Sequence, residues 1–316
     1  MKKQLFVILL LIVCSASFAH AVDYYYFMEG AMMDPGTESD RDNVAAAGAA
    51  TEGITTPPSG SIVNMDGQLS DVPVMALSVE AQYSDNIQTY NIPLSYGFPL
   101  SLTGNKELLN LKLIIPYTRR EVGDLDDSGL GDISFTANYL IRFPQFLLDS
   151  KIVIKAPTGE VEDADVPLGT GSTDVAVYFN GTWYVDAFAL KGGLGYGYNG
   201  DYDLQGTDVI HGDEYIVAAG ADYRINETMK AGGLFVYKNR AEDEYQFSGG
   251  GSMYSAGINT FEFIPGFTYL WKKYNTEINA SLMIPIADSW NTDKAAERDD
   301  DPDRSVKFNI GVSTPF

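Results

Sequence analysis

The sequence predicts an all-β fold: a transmembrane, antiparallel, up-and-down β-barrel of about twelve strands, preceded by a partly irregular N-terminal segment. Three observations predict it. Apolar and polar residues alternate with a period of two from residue 71 onward, the signature of strands with one greasy and one wet face. The chain holds 20 Tyr, 16 Phe and 31 Gly, yet its mean hydropathy is slightly negative. Its apolar residues are therefore interleaved rather than blocked, as in membrane barrels. No segment after the first residues offers the run of about eighteen apolar residues that a spanning helix needs.

The elements follow in order. Met1-Lys2-Lys3, the apolar run Leu5 to Val13 and Ala19-His20-Ala21 form a secretory signal peptide over residues 1–21, because the run is too short to span a bilayer. Cys14 follows Val13, where a lipid-attachment site normally has a small residue, so cleavage after Ala21 is expected. Residues 22–70 are rich in small residues, Thr and Pro, with no sustained period. They are expected to be irregular, either a loose tail or a plug inside the barrel. Residues 71–316 form the barrel domain.

Twelve predicted strands carry apolar faces at residues 75–83, 90–98, 109–117, 133–141, 152–156, 175–183, 188–198, 215–223, 229–237, 261–269, 278–284 and 308–316. Tyr83, Tyr90, Tyr117, Tyr198, Tyr215, Tyr223 and Tyr237 sit at the ends of these faces, as in an interfacial aromatic girdle. Isolated charges on the opposite faces suit a wet lumen and not lipid. A polar, charged lumen is therefore expected.

Connections sort by length. Short ones fall near residues 101–107, 144–147, 186, 226 and 273, and long ones near 119–130, 158–172, 200–214, 239–257 and 288–303; the first outward turn, 84–86, is short. Short turns inside and long loops outside are the asymmetry of an outer-membrane barrel, and an even strand count returns both termini to the periplasm. In lipid every backbone group must be paired, so the last strand must close on the first.

Formal net charge is −22, and 23 of the 43 acids fall in the five long loops. So acidic a chain is not expected to bind nucleic acid. The loops are either a solvated, repelling surface or a place for divalent cations. Asp124, Asp126 and Asp127 begin like a calcium loop, but its twelfth position is Phe135 and not Glu, so they are weak metal candidates. The predicted mature chain keeps one histidine, His211, beside Asp213 and Glu214, and no cysteine. No nucleophile motif accompanies it and no zinc constellation is possible without carboxylates doing most of the work. No cofactor and no enzymatic activity are expected.

The runs SGLGDISFTANYLI (128–141), KAPTGE (155–160), LGTGSTDVAVYFNGTWYVD (168–186) and KGGLGYGYNG (191–200) resemble the outer-membrane family of the putative MetA-pathway of phenol degradation. That resemblance implies a transporter-like barrel associated with passage of aromatic or other hydrophobic compounds. Asp132, Lys155 and Asp174 belong to its motifs, and with Lys191, Asp222 and Arg224 they are the candidates for lumen or constriction residues. A terminal Phe316 resembles the signal that such barrels present to their assembly machinery. The expected function is an outer-membrane channel for small solutes, in contact with outer-membrane lipid. The alternative is a surface-interaction barrel whose acidic loops hold divalent cations.

Overall fold

The computed structural model describes residues 23–24, 54–55, 68–83, 87–122, 125–159, 168–204, 207–291 and 306–315. The expected signal peptide, most of 22–70, the turn 84–86, Asp124 and Phe316 lie outside the described residues. Twelve antiparallel strands form the barrel: β1 (Val74–Tyr83), β2 (Ile87–Leu100), β3 (Lys106–Val122), β4 (Ile133–Arg142), β5 (Phe146–Ala156), β6 (Asp174–Val185), β7 (Phe188–Tyr198), β8 (Glu214–Asn226), β9 (Met229–Arg240), β10 (Gly257–Trp271), β11 (Thr276–Asn291) and β12 (Lys307–Pro315). Each pairs with its neighbours in chain order, and β12 closes on β1 with Ile310 opposite Ala81 and Val312 opposite Val79. No edge is left in the barrel. Among the described residues there is no helix.

The alternation sets which way each side chain points, because successive residues of a strand face opposite sides. On β1, Ala76, Ser78, Glu80 and Gln82 are buried in the lumen, while Leu77 and Val79 are exposed outward. The same inversion holds around the wall: Ile92, Ile152, Val217 and Ile310 lie on the outside at 40% exposure or more, and Lys112, Thr136, Lys151 and Glu277 lie inside, below 4%. A water-soluble fold buries the first set and exposes the second. This wall is built for an apolar solvent outside, and closure satisfies the backbone that such a solvent cannot.

The expected girdle tyrosines are all exposed on the outer surface. Several are paired: Phe188 packs on Tyr223 and Tyr196 on Tyr215, with ring centroids 5.0 and 5.1 Å apart. The short turns fall where expected. At the first of them, the Glu107 carboxylate accepts from Leu102 N and Thr103 N, and from the Tyr139 hydroxyl.

The long loops differ from their expected irregularity. β3 runs on to Val122 and pairs with a further strand, Leu125–Leu130, as a hairpin above the barrel. Residues 201–255 contain a four-stranded sheet of Asp201–Leu204, Thr207–Ile210, Asp243–Phe247 and Ser252–Ser255. Two loops that are unremarkable alone pair with each other, because their stems β7–β8 and β9–β10 are neighbours in the wall.

At the opposite end, Leu69 is buried with Leu108, Leu140 and Leu147, and Val74 and Tyr184 pack against them. The approach to β1 therefore crosses beneath the short-turn mouth. Farther upstream, Asp23–Tyr24 pairs with Ile54–Thr55, which lies against β12.

Candidate functional site

The lumen has three levels. At the long-loop end, Asp132, Lys155 and Asp174 meet. Asp132 immediately precedes β4, Lys155 is next to last in β5 and Asp174 opens β6, so adjacent strand ends bring them together. The Lys155 ammonium donates to Asp174 Oδ2 at 2.7 Å and lies 3.5 Å from Asp132 Oδ2. All three are buried. Asp132 also accepts from the N–H groups of Thr158, Gly159 and Thr170 and from the Thr170 hydroxyl, at 2.8–3.0 Å. Asp174 accepts from the Ser172 hydroxyl at 2.7 Å and from Gly200 N at 2.9 Å. A buried carboxylate needs such donors. This cluster ties the loop after β5 and the loop after β7 to the wall. Gly169 is required here, since a Cβ would collide with Asp132 Oδ1.

The four-stranded sheet stands above this cluster. Asp243 receives both oxygens' worth of bonds from Arg240, at 2.8 Å each, and accepts from Gly212 N at 2.8 Å. His211 Nδ1 lies 3.6 Å from Asp243, and its ring stacks on Tyr202 with centroids 5.5 Å apart. Burial opposes the Asp243 charge, but Arg240, His211 and the Gly212 amide outweigh it and hold this carboxyl below its ordinary range. Burial pushes the Tyr202 hydroxyl up to about 12. His211 thus faces Asp243 and Tyr202, two residues remote from it in sequence. Asp126 is taken up by Arg119 through two bonds of 3.0 and 2.7 Å, and Asp127 accepts from Ser128 N.

The middle level departs from the expected polar lumen. Ile114, Val153, Ala176, Tyr178, Ile216, Ala218, Leu234, Val236, Ile264 and Met283 form one buried apolar cluster facing inward from β3, β5, β6, β8, β9, β10 and β11. Periodicity could not pick these out. Val153 stands between Lys151 and Lys155, and Ile114 follows Asn110 and Lys112 on its face, so neither strand shows a continuous apolar inner face. Only the register of the wall stacks them at one height. The Tyr178 ring lies against Gly195, where a Cβ would meet its edge. Gly195→Ala is expected to displace that ring and destabilise the barrel by about 1–3 kcal/mol, read as a lower urea midpoint for unfolding from lipid vesicles.

The lowest level lies toward the short turns. Lys191, buried, and Asp222, partly exposed, form an ion pair at 2.6 Å. Arg224 lies farther down, two residues before the end of β8 and close enough to Glu227 of the following turn to attract it. Of the six charged lumen candidates, then, three meet above the apolar belt, two pair below it and one stands at the rim.

The description "Putative MetA-pathway of phenol degradation" belongs to the family profile that matches residues 72–289. Among solved structures, an outer-membrane channel from Pseudomonas putida F1 superposes with a TM-score of 0.65 at 16% identity, covering 80% of this chain and 98% of that one. The toluene transporter TodX of Pseudomonas putida gives a TM-score of 0.45 at 10% identity over 95% of this chain and 99% of its own. No curated protein matches the chain.

Proposed function

Because this chain belongs to the family of the Putative MetA-pathway of phenol degradation, we propose that it is an outer-membrane channel that passes small apolar solutes, aromatic compounds among them. The long-loop end then faces outward and the short turns face the periplasm. One observation carries the reading: ten apolar side chains from seven of the twelve strands form one buried cluster inside the barrel, set among the buried charges Lys151, Lys238 and Glu262. A path for sugars or salts gains nothing from such a cluster, since an apolar lining disfavours water and ions. A small apolar molecule gains about 25 cal/mol for each Å² it removes from water there. The fold shared with the Pseudomonas putida F1 channel is consistent with this use.

The test is calorimetric binding of 4-butylbenzyl alcohol to the mature protein in lipid nanodiscs, with empty nanodiscs as the reference. Val236, fully buried in the belt, is replaced by asparagine. The alcohol is expected to bind the native protein and to lose about tenfold in affinity in Val236→Asn. Equal affinity in the two, with the heat-shifted mobility of a folded barrel retained by both, would remove the belt from the solute's path.

A further inference from the structure

Next to the apolar cluster the lumen opens into a cavity of about 850 Å³, counting its solvent-open mouth. Leu234 and Ile264 of the cluster line it. The charged side chains of its lining are Lys191 and Lys230 with Asp222 and Glu80, so cations and anions balance there. The rest of the polar lining is neutral. Ser78, Asn91 and Ser313 belong to it and share one patch of the wall, on the neighbouring strands β12, β1 and β2. Ser313 stands directly opposite Ser78. Asn91 stands opposite Glu80, which follows Ser78 on the same face of β1.

These three residues are each more than nine-tenths buried. Among the described residues, Ser78 Oγ, Asn91 Oδ1 and Ser313 Oγ have no hydrogen-bond partner. A buried polar atom left without a partner is costly, and most such atoms in folded proteins are paired. Three of them on adjacent strands beside one cavity form a seat for a group that can hydrogen-bond from the cavity side. The apolar cluster decides the charge of that group. A head group moving past Leu234 and Ile264 must shed water, and the cost for a neutral hydroxyl or amide is small beside that for a carboxylate or an ammonium. The balanced charges of the lining give neither ion a return for it.

We propose that Ser78, Asn91 and Ser313 form a hydrogen-bonding seat for an uncharged head group, so that the channel takes neutral amphiphiles with an apolar body and a hydroxyl or primary amide at one end. This rests on the channel reading above and adds the substrate class. The apolar border and the seat belong to one cavity, so a single molecule can lie against Leu234 and Ile264 while its head meets the two serines and the asparagine. A hydroxyl or a primary amide both donates and accepts, as do the serine hydroxyls and the asparagine amide that face it.

The experiment uses four probes with one apolar part, 4-butylbenzyl alcohol, its methyl ether, 4-butylbenzoate and 4-butylbenzylamine, titrated into the mature protein in nanodiscs. Native protein should bind the alcohol about tenfold more tightly than the ether, which cannot donate, and more tightly than either charged probe. The double variant Ser78→Ala, Ser313→Ala and the single variant Asn91→Leu should each weaken the alcohol about fivefold, the scale of a net hydrogen bond. Both should leave the ether unchanged and keep the heat-shifted mobility of a folded barrel. Equal binding of alcohol and ether by native protein, tightest binding of a charged probe, or unchanged alcohol affinity in either variant would overturn the seat and leave the apolar channel standing. Weaker alcohol binding in the seat variants while Val236→Asn changes no affinity would uphold the seat and overturn the belt reading alone. Binding of none of the four probes would overturn both.

Discussion

Replacing Lys155 with methionine is expected to lower the unfolding free energy of the barrel by about 3–5 kcal/mol, the cost of removing one partner from a buried ionic cluster. Lys155 is 1% exposed and stands between two buried carboxylates, 2.7 Å from one and 3.5 Å from the other. Without its ammonium, Asp132 and Asp174 keep their backbone and hydroxyl donors but face each other as like charges. The native arrangement holds Thr158, Thr170, Ser172 and Gly200 against the wall through these same carboxylates, so the outer loops should loosen together. Urea unfolding from lipid vesicles gives the energy, and proteolysis of the loops before global unfolding reports the loosening. Substituting Asp132 and Asp174 by asparagine in the methionine background should recover part of the loss, since neutral amides remove the repulsion. A loss below about 1 kcal/mol, the scale of an exposed pair, would mean that water reaches the cluster and that it is part of an open path.

Deleting residues 22–67 from the mature chain is expected to raise single-channel conductance in a planar bilayer severalfold. Leu69 is held at the short-turn mouth by Leu108, Leu140 and Leu147. Ile54–Thr55, paired with Asp23–Tyr24, also lies against β12. Removing residues 22–67 leaves the wall untouched, because β1 and β12 close without them. An unchanged conductance in a folded, truncated barrel would place residues 22–67 outside the path of ions.

Much of the wall is legible from single strands. The alternation Phe308, Ile310, Val312 against Lys307, Asn309, Ser313 needs no partner to be read, because a two-residue period is a property of one extended chain. Turns are legible for the same reason: short gaps between alternating runs leave no room for another connection. The lumen candidates Asp132, Lys155, Asp174, Lys191 and Asp222 stand out as charges on faces that lipid could not accept. Which of them meet is a different matter. Lys155 chooses Asp132 and Asp174, and Lys191 chooses Asp222, through strand register and loop path. Lys230 draws no attention in the sequence beside several other lumen lysines, and only the tertiary structure places it at the border of a cavity. The outer sheet was hidden because its strands are short and pair across two loops, a contact of high sequence separation that no local pattern records.

The sequence by itself determined a closed barrel with an apolar outside, its strand number, which way the side chains of its predicted strands point and the acidity of its long loops. These follow from a period of two and from the demand that lipid makes on backbone groups. Only the tertiary structure decided the height of each inward residue. A residue's level in a barrel depends on the stagger between neighbouring strands, and stagger is a relation between segments that a one-dimensional pattern does not contain. That relation gathers Ile114, Val153, Ile216 and Leu234 into an apolar belt, seals Asp132 and Asp174 around Lys155 above it, and leaves Lys230 facing a cavity below.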